Sequence, residues 1–189
     1  MIIIAFRNII CLIGLLIVLP MLVVASIFLF IEDGLPILFK QERIGLDKKL
    51  FTIYKIRTMQ KNSPQDATHI LGKNFTLKTG GIIRKVKLDE FPQLINVIKG
   101  DLNLVGPRPG LPNQTELFNA RSRNNIFAIK PGISGLAQVL GYDMSDTKKL
   151  AEIDSIYIKY RTVRLDLVIL LATFFNYPKV YLLQKFKIQ

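Results

Sequence analysis

LDEFPQLINVIKGDLNLVGPRPG, residues 88 to 110, places two adjacent carboxylates before an apolar run and an arginine between two prolines after it. Leu88, Phe91, Leu94, Ile95 and Ile98 recur at helical spacing. Pro92 falls in the first turn, where its missing N–H costs nothing, and Gly100 is placed to end the helix. The spacing therefore predicts a helix with Asp89 and Glu90 at its N-terminus. There the unpaired N–H groups and the positive dipole end favour ionised carboxylates and any phosphate brought near. Adjacent carboxylates suit a divalent cation and a nucleophile working on a diphosphate. Aspartate is also a common helix cap, and this helix alone does not separate the two readings. DLNLV is a short apolar stretch, and GPRP fixes the backbone on both sides of Arg108, which presets an arginine for an anion or simply makes a turn.

Upstream, IIRKVK sets Arg84 five residues before Asp89, close enough to share its neighbourhood, and an arginine fork matches a diphosphate. LFKQERIG and LFTIYKIRTM read as extended segments around the polar turn Leu46 to Lys49, a hairpin. Alternation puts Lys55 and Arg57 on one face, from which both reach a phosphate or face solvent. Residues 60 to 81 are polar and rich in turn formers, and are expected to form a loop over a site. Downstream, PNQTELFNARSRNN predicts an amphipathic helix, and KPGISGLAQVLGY a loop in which Pro131, Gly132 and Gly135 shape the backbone. Leu150, Ile153, Ile156, Tyr157 and Tyr160 recur along another helix, with Asp154 off that stripe, orienting a basic neighbour or exposed. Residues 165 to 183 are apolar but interrupted by Asp166, Asn176, Pro178 and Lys179, which favours a helix lying at a membrane interface over one crossing it.

Residues 9 to 31, IICLIGLLIVLPMLVVASIFLFI, carry no charge and meet the length needed to cross a bilayer. Pro20 divides the run, so a kinked crossing helix and a re-entrant hairpin both fit. Arg7 alone among the 26 Lys and Arg precedes it, which keeps the remainder cytoplasmic. The net charge of +12 beside 50% hydrophobic residues suits an anionic membrane surface. The single cysteine, Cys11, forms no internal disulfide, and the single histidine, His69, rules out histidine-based metal clusters and reads as a surface residue. The chain has neither a G-x-x-x-x-G-K-[ST] phosphate loop nor a G-x-G-x-x-G dinucleotide fingerprint, so ATPases and Rossmann oxidoreductases are poor candidates.

Taken in order, the apolar N-terminus with a central proline, FKQERIG, FTIYKIRTM, IIRK, LDEFPQLINVIKGDLNLVGPRP, KPGISGLAQV and a final D-x-x-Y with LDLVIL resemble the bacterial sugar transferases, the small monotopic phosphoglycosyl transferases. The resemblance covers nearly the whole chain. It implies an α+β fold with an N-terminal membrane helix broken at Pro20 and re-entrant. A small, mostly helical catalytic domain with a β-hairpin follows, ending in a C-terminal interfacial helix. The expected division is an anchor over 1–35 and a cytoplasmic, membrane-associated catalytic domain over 36–189.

The implied reaction moves a sugar 1-phosphate from a UDP-sugar to polyprenyl (undecaprenyl) phosphate through a covalent aspartyl-phosphosugar, releasing UMP and starting a surface glycan at the bacterial inner membrane. By the same resemblance Asp89 is the nucleophile, Glu90 assists it and binds Mg2+ with it, and Arg84 and Arg108, with Lys55, bind the phosphates. Asp154 and Tyr157 match a motif taken as structural. The implied partners are the nucleotide sugar, the polyprenyl phosphate and membrane lipids, with no nucleic acid and with homo-oligomerisation open. Leu19 stands where the family commonly has Ser, and Val86 and Lys87 replace its usual Thr-Ser. The rival reading is a non-catalytic, membrane-anchored basic module for anionic lipid or nucleic acid, which leaves the DE pair and GPRP unexplained.

Overall fold

The structure, a computed structural model, describes residues 2–64 and 75–188. Much of the expected 60–81 loop, and His69 with it, lies outside the described residues. The chain forms two compact units, Met1–Glu42 with Thr52–Gly100, and Arg43–Phe51 with Asp101–Gln189. The fold is α+β and mostly helical, with two small two-stranded sheets among the described residues.

The first unit opens with helix α1, Ile2–Asp33. It is helical straight through Pro20, so the expected break is not a gap in the helix, although Pro20 offers no N–H to the Leu16 carbonyl. Cys11, Ala25 and Leu29 are buried, and Gly14, Leu15, Val18 and Leu22 are partly covered, a stripe at three- and four-residue spacing. Around the rest of the helix Ile10, Ile13, Ile17, Val24, Phe28 and Ile31 stay exposed. Ala25 and Leu29 share a core with Ile56, Leu77, Ile83 and Leu88, against which Val18, Leu22, Ile37 and Phe91 pack.

Strands β1 (Leu38–Ile44) and β2 (Leu50–Ile56) form the expected hairpin. Its tip, Leu46–Lys48, takes left-handed backbone at Asp47 and Lys48 and belongs to the second unit. Helix α2, Lys78–Lys85, starts inside the expected 60–81 loop and runs on through the turn or helix lead-in expected at Arg84. Two glycines in KTGG hide its helical register, and packing requires the first of them. A Cβ on Gly80 would stand 2.2 Å from the Thr58 carbonyl oxygen, so only glycine lets this helix lie backbone to backbone on residue 58.

The DE pair departs from expectation. Leu88–Glu90 form a 3-10 turn led by left-handed Lys87, and helix α3 spans Gln93–Lys99, so the carboxylates precede the α-helix instead of opening it. Pro92 explains this. It cannot donate to the Leu88 carbonyl, which instead accepts the tighter bond from Phe91 N at 3.4 Å. Gly100 ends α3 at φ 87° as expected. The Asn96 side chain stitches α3 to β2, accepting from Tyr54 N at 3.2 Å and donating to Thr52 O at 2.7 Å as a neighbouring strand would.

In the second unit β3 (Asn103–Val105) pairs in parallel with β4 (Gly132–Ser134), Asn103 opposite Gly132 and Val105 opposite Ser134. A Cβ on Gly132 would meet Gly106 N at 2.1 Å, so KPGISG shapes backbone as expected, although it holds a strand and then helix α5 (Leu136–Leu140) where a loop was predicted. The amphipathic helices expected before and after it are α4, Thr115–Arg123, and α6, Thr147–Tyr160. The apolar C-terminal stretch folds as two helices, α7 (Val163–Ala172) and α8 (Asn176–Phe186). Leu117, Leu136, Leu150, Ile153, Tyr157, Ile169 and Leu182 centre this unit's core.

Candidate active site

The first unit gathers four of the five residues singled out from the sequence. Asp89 and Glu90 sit side by side, partly buried, on the 3-10 turn. From β2, Lys55 Nζ reaches Glu90 Oε1 at 3.4 Å, with the two side chains 15% and 20% exposed. From the last turn of α2, Arg84 Nε donates to Thr58 Oγ1 at 2.7 Å, and its charge acts on Asp89. Burial pushes the Asp89 carboxyl above its usual range. Lys55 and Arg84 pull it down, and Glu90 pushes it up further. Burial likewise depresses Arg84, offset by Asp89. The site is thus a carboxylate pair in a half-dry setting, flanked by two cations from separate elements, which suits the handling of a phosphate ester.

Arg57, placed beside Lys55 by strand alternation, does something else. It is buried, and its guanidinium is used by Asp33 and by the carbonyls of Pro36, Gly34 and Met59, fastening the end of α1. Its backbone N–H still donates to the Ile37 carbonyl at 2.8 Å, one residue beyond the end of β2.

Arg108 belongs to the second unit, partly buried in a loop whose backbone is held throughout. The carbonyls of Pro107, Arg108, Pro109 and Gly110 accept, in turn, from Gly132 N at 3.0 Å, Arg121 Nη1 at 2.6 Å, Arg43 Nη1 at 3.1 Å and Ile44 N at 3.0 Å. Arg121 pairs through Nε and Nη2 with Asp154, which is buried. Sequence reading passed over Arg121; its i, i+4 spacing from the buried Leu117 on α4 was the available signal. The Tyr157 hydroxyl donates to Asp166 Oδ1 at 2.8 Å and lies 3.2 Å from the Val105 carbonyl, which agrees with a structural role.

Among the described residues no three His, Cys, Asp or Glu side chains cluster as a metal cage. Mg2+ asks for less, since one or two carboxylates with phosphate and water oxygens complete its shell, and Asp89 with Glu90 are such a hard-oxygen pair.

The first unit thus holds a carboxylate pair between cations together with a helix long and apolar enough to cross a membrane. The model of the family described as bacterial sugar transferase matches residues 2–179, and the chain belongs to that family. It is 41% identical over 143 residues to the uncharacterised sugar transferase EpsL of Bacillus subtilis, covering 76% of this chain and 70% of that one. It is 36% identical to the undecaprenyl-phosphate galactose phosphotransferase of Salmonella typhimurium, covering 88% of this chain and 38% of the relative. It is 35% identical to the UDP-glucose:undecaprenyl-phosphate glucose-1-phosphate transferase of Caulobacter vibrioides, covering 82% and 61%. The chain thus spans about two fifths to seven tenths of these curated relatives.

Proposed function

We propose that the protein transfers a sugar 1-phosphate from a UDP-sugar to undecaprenyl phosphate through a covalent phosphosugar on Asp89, releasing UMP and starting a surface glycan. The convergence of Lys55, Arg84 and Glu90 on Asp89 carries this reading. In the first displacement an Asp89 oxygen attacks the sugar-bearing phosphorus, and the bond from that phosphorus to the UMP oxygen breaks, its electron pair leaving with UMP. In the second, a phosphate oxygen of the lipid attacks the same phosphorus, and Asp89 departs as carboxylate. Arg84 and Lys55 offset the repulsion between an anionic nucleophile and an anionic ester, and Arg108, on its held loop, is assigned to the substrate phosphates. Asp89 and Glu90 would hold Mg2+, which would supply further neutralisation of phosphate charge. Relatives named for galactose and glucose transfer to undecaprenyl phosphate support the substrate classes.

The site belongs at the cytoplasmic face of the inner membrane, and packing in the first unit supports a re-entrant anchor. A Cβ on Gly14 would stand 3.5 Å from Leu94 Cδ1, so α3 lies against the middle of α1. From Gly14 to Asp33 a helix runs about 29 Å at 1.5 Å per residue, close to a hydrocarbon core. A straight crossing would carry α3, with Lys99 at its end, into lipid, where a central charge costs roughly 2.5–3.5 kcal/mol. A helix that enters and returns at Pro20 keeps them at headgroup level. Exposed Leu167, Leu171, Phe174, Phe175 and Tyr177, on and between α7 and α8, suit the same interface.

The test is to incubate detergent-purified protein with Mg2+ and UDP-galactose, UDP-glucose or UDP-N-acetylgalactosamine, with and without undecaprenyl phosphate. UMP release and a phosphosugar adduct on Asp89 by mass spectrometry are expected. Wild-type turnover in Asp89→Asn would remove the nucleophile assignment.

A further inference from the structure

The last turn of α1 ends in Glu32 and Asp33, against the grain of the helix dipole, which favours cations there. Asp33 is answered by Arg57. Glu32 is exposed, so no buried partner demands its charge, yet both its oxygens are engaged. Oε1 accepts from Lys78 N at 2.6 Å and Oε2 from Thr79 N at 2.9 Å, across 46 and 47 residues of chain. These are the first two amides of α2, whose own N-cap residue, Leu77, has no side-chain oxygen to offer. The anchor helix therefore caps α2 in place of a local residue.

Helix α2 ends in the arginine of the site. It is held at three points: by Glu32 at its start, by Leu77 N on the Thr58 carbonyl at 3.1 Å with Gly80 packed on the same residue, and by Arg84 Nε on Thr58 Oγ1. Thr58 directly follows Arg57, which clasps Asp33. The two acidic residues ending α1 thus grip the two segments that locate Arg84.

We propose that Glu32 is a positioning residue: the end of the membrane anchor sets α2 and, through it, places Arg84 against the Asp89–Glu90 pair. Assembly of the donor-phosphate site is then coupled to seating of the anchor at the lipid surface. This rests on the reaction assigned above.

The experiment uses the full chain in nanodiscs of anionic phospholipid, as wild type, Glu32→Ala, Glu32→Gln, Arg84→Ala and the Glu32→Ala/Arg84→Ala double variant. Amide hydrogen exchange at Lys78 and Thr79 is read independently of catalysis. Protection is expected to fall in Glu32→Ala, to fall less in Glu32→Gln, which keeps one acceptor oxygen, and to persist in Arg84→Ala. With the UDP-sugar chosen by the donor panel, Glu32→Ala is expected to lose about fivefold in kcat/KM, mostly in KM, the scale of a lost helix cap. In the Arg84→Ala background the same change should cost nothing more, because its effect runs through that arginine. Unchanged protection in both Glu32 variants, or a full additional loss in the double variant, overturns the proposal. If wild type releases no UMP from any donor, the assigned reaction fails, and the exchange data still decide whether Glu32 holds α2. Should Glu32→Ala fail to fold, Glu32→Gln decides both readouts.

Discussion

Arg121 and Asp154 pair at 2.7 Å, Nη2 to Oδ2, with each side chain 3% exposed, and the same guanidinium donates from Nη1 to the carbonyl of Arg108. The pair thus holds the peptide that carries the candidate phosphate-binding arginine. Removing one partner of such a pair leaves an uncompensated buried charge, so Asp154→Ala is expected to lose about 3–5 kcal/mol of stability. The apolar double variant Arg121→Met/Asp154→Leu removes both charges and should recover most of that loss in a thermal melt. Its Arg108 carbonyl loses the Arg121 Nη1 donor, so UMP release should remain low. A stable double variant with full turnover would show that the loop needs no such support.

The carboxyl of Asp89 is raised first by burial and then by Glu90, against Lys55 and Arg84. A carboxyl raised in the folded state favours its protonated form there. Its contribution to stability is therefore greatest at low pH and is lost as pH rises through the folded value. Asp89→Asn, neutral at every pH, is expected to melt above wild type at pH 7 in detergent with chelator. The gap should close below about pH 4, where an ordinary aspartate is itself protonated. The same variant should release no UMP. A lower melting temperature for Asp89→Asn at neutral pH would contradict the electrostatic account.

Lys55 Nζ stands 3.4 Å from Glu90 Oε1. Lys55→Met keeps an unbranched side chain of similar length and deletes the charge. If general electrostatic stabilisation is its role, turnover should fall about 100-fold while membrane partition is unchanged. Lys55→Arg should recover part of it. Equal turnover in Lys55→Met and wild type would reduce the Lys55–Glu90 pair to a surface contact.

The hairpin, the Gly100 stop and the helices around Leu117 and Tyr157 were legible because period and turn chemistry agree there. The stripe through Cys11, Val18, Leu22, Ala25 and Leu29 was not, because every face of α1 is apolar and no period stands out. Arg57 and Lys55 are two residues apart and look alike in sequence. Their partners, Asp33 for Arg57 and Glu90 for Lys55, lie 24 and 35 residues away in sequence, too far for local spacing to register. Asp89, Glu90, Lys55 and Arg84 were all named from sequence, whereas Glu32 and Arg121 act across 46 and 13 residues of chain, which local spacing does not encode.

Adjacent glycines in α2 give opposite expectations. Gly80→Ala would push a Cβ to 2.2 Å from the Thr58 carbonyl oxygen, whereas a Cβ on Gly81 meets nothing within 4 Å. Gly80→Ala should destabilise by about 1–3 kcal/mol as backbone is forced apart. It should also weaken donor binding, since α2 carries Arg84. Gly81→Ala is expected to stabilise by roughly 0.5–1 kcal/mol, the usual gain in a helix interior. Similar melting temperatures for the two variants would contradict the close approach of α2 to Thr58.

The course of α1 in the membrane is open to a direct chemical test. In a Cys11→Ser background, one variant carries Ile4→Cys at the start of the helix and another carries Ser63→Cys in the polar segment after β2. A membrane-impermeant maleimide is then applied to sealed inverted vesicles, whose outer surface is the cytoplasmic one. A re-entrant helix places both thiols on that surface, and both should label without detergent. A crossing helix places residue 4 in the lumen, where labelling needs detergent while residue 63 reacts at once. The packing of Leu94 against Gly14 leads us to expect the first outcome. The second would require α3 to part from α1 in the bilayer, and would move Asp89 away from the arrangement on which its chemistry is argued.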